Sequence, residues 1–162
     1  MMGSIRTANW LAFLLPSALL GGALLSQYGF GLYPCEMCMW QRWPHLAAII
    51  LALPALLCRS RSWSKLLVVA AAIAILISGL IGGFHAGVEY DWWEGLTSCA
   101  TNVAAGGDML DSIMNAPLVR CDVAPWSLFG ISLAGFNFLW SVSGAILILI
   151  MVATGRKDAN DA

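Results

Sequence analysis

The chain has 162 residues, 60% of them hydrophobic and only 10% charged, with a mean hydropathy of +0.80 and a formal net charge of −1. A soluble domain carries about a quarter charged residues and could not keep so apolar a surface in water, so the composition points to an integral membrane protein. No basic patch exists to support nucleic-acid or polybasic lipid binding, and the length suits one compact helical bundle.

Between Arg6 and Glu36 no residue is charged, and Trp10 to Gly29 is long enough to cross a bilayer. A cleaved signal peptide is the alternative. The apolar run exceeds the usual core of about 7–15 residues and no A-x-A site follows, so it reads as a first span over about 10–29. Next comes Pro34-Cys35-Glu36-Met37-Cys38-Met39-Trp40-Gln41-Arg42, a dithiol motif between two apolar segments. If Pro34 takes the first helical position, Cys35, Cys38 and Arg42 follow at i, i+3 and i+7 on one helix face. The free N–H groups of the first turn, the helix dipole and the nearby guanidinium all favour a thiolate at Cys38.

Trp43 to Cys58, about 16 residues, is short for a span, and the shortage disappears if the helix begins at the C-x-x-C, giving a second span over about 38–58. Pro44 and Pro54 should kink it. A basic turn, Arg59 to Lys65, leads to a third span over about 66–86, whose Gly79, Gly82 and Gly83 permit close helix contact. Residues 87–126 change character: acids, Gly106-Gly107 and a second cysteine pair, Cys99 and Cys121, all appear. Asp108 could cap a short surface helix over 108–116, or the stretch could be a plain loop turn. A fourth span runs over about 127–153 before a polar tail.

Arg6, Arg59, Arg61, Lys65, Arg156 and Lys157 all fall on one side of a four-span threading, which the positive-inside rule makes cytoplasmic. The expected fold is an all-α, four-helix transmembrane bundle with both termini cytoplasmic and one long external loop, residues 1–162 forming a single domain. Cys35, Cys38, Cys99 and Cys121 then share the external face, where disulfides persist. Cys58 falls alone at the reducing end.

One external disulfide could merely staple the loop, worth on the order of 3 kcal/mol if it joined Cys99 to Cys121. Two facing pairs suggest thiol–disulfide exchange from the mobile pair to the helix-bound pair. Electrons must then leave the C-x-x-C, and at a bilayer boundary a lipid-soluble acceptor is the natural exit. A quinone fits, with a cation to stabilise its developing oxyanion. His85, at the outer end of the third span with Glu89 at i+4, could hydrogen-bond the acceptor or supply a proton; it could equally be satisfied by a carbonyl or interfacial water. His45 reads as an interfacial packing residue.

Pro34-Cys35-x-x-Cys38-x-x-x-Arg42, His85-Ala-Gly-Val-Glu89 before Trp92-Trp93, Cys99, and Cys121 through Trp126-x-x-Phe129-Gly-Ile-Ser-Leu-Ala-Gly135 resemble the bacterial disulfide bond formation protein B (DsbB) family. The resemblance covers most of the chain. It implies an inner-membrane thiol:quinone oxidoreductase, with ubiquinone or menaquinone as acceptor, that reoxidises a periplasmic DsbA-like dithiol oxidase. It also implies roles: Cys99 forms the mixed disulfide with the partner, Cys121 attacks Cys35, and Cys38 is left as the thiolate facing the quinone beside Arg42, with His85 as a further quinone-site residue. No metal and no nucleic acid are implied.

Three other readings compete. The vitamin K epoxide reductase family also pairs a four-helix bundle with a C-x-x-C, but there the loop pair precedes the motif. A thiolate metal site or transporter using Cys35, Cys38 and a histidine would need polar residues along the spans, and these are nearly absent. A bundle with structural staples gives no reason for Arg42 one turn below Cys38.

Overall fold

In a computed structural model, residues 3–58, 60–96, 100–101 and 118–160 are described. Four long helices form the bundle: α1 (Gly3–Phe30), α2 (Glu36–Leu57), α3 (Arg61–Glu89) and α4 (Leu133–Asn160). Two small antiparallel pairings sit between α3 and α4: β1 (Ala100–Thr101) with β2 (Leu118–Val119), and β3 (Ser127–Leu128) with β4 (Ile131–Ser132). The expected surface helix over 108–116 lies outside the described residues, as does Cys99.

α1, α3 and α4 are each long and apolar enough to cross a bilayer. α2 is shorter, at 22 residues, and carries Pro44 and Pro54 within it. α3 is the most enclosed of the three spans and packs most heavily against α2 on one side and α4 on the other. Mid-helix apolar side chains such as Leu14, Ile50, Ile73 and Ile150 point outward, which suits lipid rather than water.

The interior is built from small residues. Ala8, Ala12, Ala48, Ala52, Ala55, Ala71, Ala72 and Ala145 pack around Val68, Ile75 and Ile148. With no hydrophobic drive between helices in lipid, close backbone approach and dispersion hold such an interface. At Gly79 α3 and α4 approach closely: an added Cβ would lie 2.9 Å from Ser141 Cβ and 3.1 Å from the Val142 nitrogen. Gly79→Val is expected to force α3 and α4 apart and cost about 1–3 kcal/mol, measured by denaturant unfolding in micelles.

Two helix starts differ from the sequence expectation, each for a local reason. α2 begins after Cys35 rather than at Pro34, because the Cys35 sulfur itself caps the helix by accepting the Cys38 N–H at 3.3 Å. α4 begins at Leu133 rather than near Trp126, because Ser127 to Ser132 turn back as a hairpin with Phe129 at φ 53° and Gly130 at φ 77°. Left-handed φ at both central positions is what a tight hairpin turn needs. The hairpin is tied to the end of α3: Tyr90 Oη donates to the Gly130 carbonyl at 2.9 Å and accepts from the Ser132 N–H at 3.0 Å, while Ser132 Oγ donates to the Glu89 carboxylate.

Candidate functional site

The capped end of α2 meets the C-terminal end of α3 and the chain that follows β2. There Cys35, Met37, Val88 and Cys121 form a small buried cluster, with Cys38, Phe84 and Val119 packed on it. Cys35 is 3% exposed and Cys121 6%. Cys35 Sγ donates towards Cys38 Sγ across 3.2 Å and lies 3.5 Å from His85 Nε2. The ligand atoms of Cys35, His85 and Cys121 all fall within 4.8 Å of one another. Four of the expected site residues, Cys35, Cys38, Cys121 and His85, are thus brought together; Cys99 lies outside the described residues.

The residues on either side of Cys121 pair with each other. Arg120 donates to both oxygens of Asp122, through Nε at 2.9 Å to Oδ1 and through Nη2 to Oδ2. The guanidinium beside Asp122 holds its carboxyl below the usual carboxylate range. His85 has Glu89 one turn on, with Nε2 3.8 Å from Oε1 and both side chains only 1% exposed.

The two sulfurs of the C-x-x-C are inequivalent. Its hydrogen bond to Cys38, reinforced by burial, pushes the Cys35 thiol up to about 12, and the contact with His85 opposes this only in part. A raised value keeps the Cys35 thiol uncharged near neutral pH, and Cys35 is the more buried of the two, so alkylation of reduced, folded protein is expected to consume Cys38 ahead of Cys35. Peptide mapping after a brief iodoacetamide pulse checks this.

Arg42 sits one turn below Cys38. Its Nη1 donates to Gln27 Oε1 and its Nη2 to the Ala23 carbonyl at 3.2 Å, so α1 fixes the guanidinium. Cys38 and Arg42 line a cavity of about 260 Å³ together with Gln41, His45 and Asn137, walled by apolar residues of α1 and by Leu133, Ala134 and Phe136 of α4. The donor set fits a quinone: an apolar slot of ring size with a thiolate and a cation at one end.

Sequence reasoning missed the polar lattice behind this cavity. Gln41 on α2, Ser78 on α3 and Asn137 on α4 hydrogen-bond one another and reach both histidines, His85 through Gln41 and His45 through Asn137. His45, expected to be an interfacial packing residue, is 4% exposed and donates Nε2–H to Asn137 Oδ1 at 2.9 Å. The signal available was an amide near the start of each of two apolar helices, Gln41 and Asn137, and such groups default to partners in the protein interior.

A family model described as disulfide bond formation protein DsbB matches residues 5–151. Among curated proteins, the chain is 31% identical over 153 residues to disulfide bond formation protein B of Verminephrobacter eiseniae (strain EF01-2), covering 88% of this chain and 82% of that protein. It is 29% identical over 149 residues to the protein of the same name from Polaromonas sp. (strain JS666 / ATCC BAA-500), covering 83% of each. Against that of Acidovorax sp. (strain JS42) the identity is 24% over 155 residues, covering 89% of this chain and 85% of the relative. No solved structure matches.

Proposed function

The chain belongs to the disulfide bond formation protein DsbB family and is a disulfide-forming oxidoreductase of the membrane, and from that premise we propose that it reoxidises a periplasmic DsbA-like dithiol oxidase and passes the electrons to a membrane quinone. The proposed fold is the four-span threading with both termini cytoplasmic, in the bacterial inner membrane, as one domain over 1–162. The observation that carries the reading is the cluster in which the Cys35 sulfur lies against Cys38, against His85 and near Cys121.

The relay runs by thiol–disulfide exchange. The partner's thiolate attacks the Cys99–Cys121 disulfide at Cys99, and Cys121 leaves. Cys121 then attacks Cys35, breaking Cys35–Cys38 and leaving Cys38 as the thiolate. The partner's second thiolate displaces Cys99, which departs reduced, and the partner keeps its new disulfide. A quinone bound in the cavity accepts two electrons and two protons, becoming the hydroquinone. Before that, Cys99 attacks Cys121, restoring Cys99–Cys121 and releasing Cys35; Cys38 then gives up the electron pair as the Cys35 thiolate closes on it and Cys35–Cys38 re-forms. Arg42 stabilises negative charge at the thiolate and at the acceptor's oxygen, and the α1 wall keeps water out of the slot.

The direct test mixes a reduced periplasmic dithiol oxidase with the purified protein and quinone, and follows quinone absorbance. Quinone loss matched by disulfide gained, one for one, is the expected result; oxidation of the partner without quinone loss overturns the reading. Cys58 caps the other end of α2, where its sulfur donates to the Ser60 carbonyl at 3.7 Å. About 33 Å of helix separates it from the dithiol. Cys58→Ala is therefore expected to leave the quinone-reduction rate unchanged, and a lost rate in well-folded protein would place it in the relay.

A further inference from the structure

Donor and acceptor accounting fixes the orientation of every group in the buried lattice. Gln41 Nε2 lies 3.1 Å from the Met37 carbonyl oxygen and 2.9 Å from His85 Nδ1. A carbonyl only accepts, so this end of the side chain is the amino group, and its other hydrogen points at Nδ1. Asn137 Nδ2 lies 2.8 Å from Gln41 Oε1 and 3.1 Å from the Ser78 carbonyl oxygen, again two acceptors. Turning either amide over would set oxygen against oxygen at Met37 or at Ser78. Nδ1 of His85 must therefore be bare, and its single ring proton sits on Nε2. On the other side of the ring, Nε2 faces the Cys35 sulfur at 3.5 Å and a Glu89 carboxylate oxygen at 3.8 Å, both able to accept its proton.

We propose that Gln41 and Asn137 are positioning residues of the dithiol site, which hold His85 as an Nε2–H donor to Cys35 and thereby bar the Cys35–His85–Cys121 cluster from taking a metal ion. The proposal rests on the redox reading for its purpose and on the lattice for its substance. Reduced, the cluster otherwise has the makings of a thiolate–imidazole site. Zinc bound at about 2.3 Å to sulfur and about 2.0–2.1 Å to nitrogen sets those two atoms roughly 3.5 Å apart, and Cys35 Sγ and His85 Nε2 already stand 3.5 Å apart. A metal needs the lone pair of Nε2, however, and the lattice has placed a proton there. Moving it to Nδ1 would drive an N–H against the Gln41 amino group, leaving two buried donors face to face. An external dithiol that must cycle through its reduced form is thus kept free for exchange, with the same hydrogen bond steadying Cys35 as it gains or sheds charge.

The chain contains two histidines, so 15N-histidine labelling of the full-length, reduced protein in micelles reads both rings, assigned with His45→Gln. The expected result is a protonated Nε2 and a bare Nδ1 at His85. A proton on Nδ1 in the wild type overturns the proposal. Gln41→Glu presents an acceptor to Nδ1 and is expected to reverse the tautomer and raise the zinc affinity of the reduced protein by about 10–100-fold, the scale of outer-shell effects on metal sites. Competition against a chromophoric chelator measures this, and the gain should vanish when Cys121→Ser is added. Zinc binding by the reduced wild type at one equivalent, dependent on Cys35 and His85, also overturns the proposal. Should Gln41→Glu fail to fold, Asn137→Ala carries the test: it frees Gln41 to rotate, and His85 becomes a mixture of tautomers. An unmoved tautomer in a folded variant counts against the lattice. Neither readout involves quinone or protein partner, so failure of the relay in turnover assays and failure of this proposal are separate results.

Discussion

Cys121→Ser protein, offered a periplasmic dithiol oxidase in its disulfide form, is expected to accumulate a mixed disulfide as the Cys99 thiolate attacks the partner's disulfide and releases its second thiolate, and to lose turnover by at least about 10³-fold, the scale of removing a nucleophile. Serine keeps the volume of the side chain, so the cluster of Met37, Val88 and Val119 around it should stay packed. It lacks the thiolate that carries exchange. Cys121 is buried and its sulfur lies within 4.8 Å of Cys35, a poor position to meet a soluble partner and a good one to pass electrons inward. The adduct is read as a reductant-sensitive band on a non-reducing gel. Cys99→Ser should abolish it, and Cys35→Ser should leave Cys121 without an acceptor. A partner found attached to Cys35 or Cys38 in otherwise intact protein would reverse the order of exchange.

Arg42→Ala should lower the rate with quinone by about 10²–10³-fold, the range for losing one donor to a developing oxyanion, while exchange with the protein partner changes far less. The guanidinium occupies three roles at once: charge beside Cys38, a donor to Gln27 and a donor to the Ala23 carbonyl. Arg42→Lys keeps the charge and loses the planar fork, so it should fall between wild type and alanine. Stopped-flow measurement of the two half-reactions separates the effects. Equal losses in both would make Arg42 a structural tie between α1 and α2.

Much of this architecture could be read from residue order. The gaps in charge around α1 and α3 marked their spans, and the shortness of the stretch from Trp43 to Cys58 placed the dithiol at a helix mouth, where Cys35 caps α2. Two features were out of reach. The run from Trp126 to Gly135 is uncharged and reads as part of a span, because the reversal at Phe129 and Gly130 is held by distant groups, Glu89 and Tyr90. The meeting of Gln41, Ser78 and Asn137 depends on the rotation of three helices about their axes, which spacing along any one of them does not specify. Their mutual distances follow from Gly82, where an added Cβ would stand 2.9 Å from Asn137 Nδ2 and 3.1 Å from Gln41 Oε1.

The position of Asn137 on the last helix also bears on how the molecule is made. In chain order α2 and α3 are synthesised before α4, so Gln41, His45 and Ser78 exist while the side chain that joins them is still unsynthesised. Lipid offers these groups no substitute, so the unfinished chain carries an energetic debt that only α4 cancels. Arrival of Asn137 at once satisfies the Gln41 oxygen and the His45 N–H and closes α4 over Ser78. The lattice that faces the His85 ring is therefore complete only once α4 is in place.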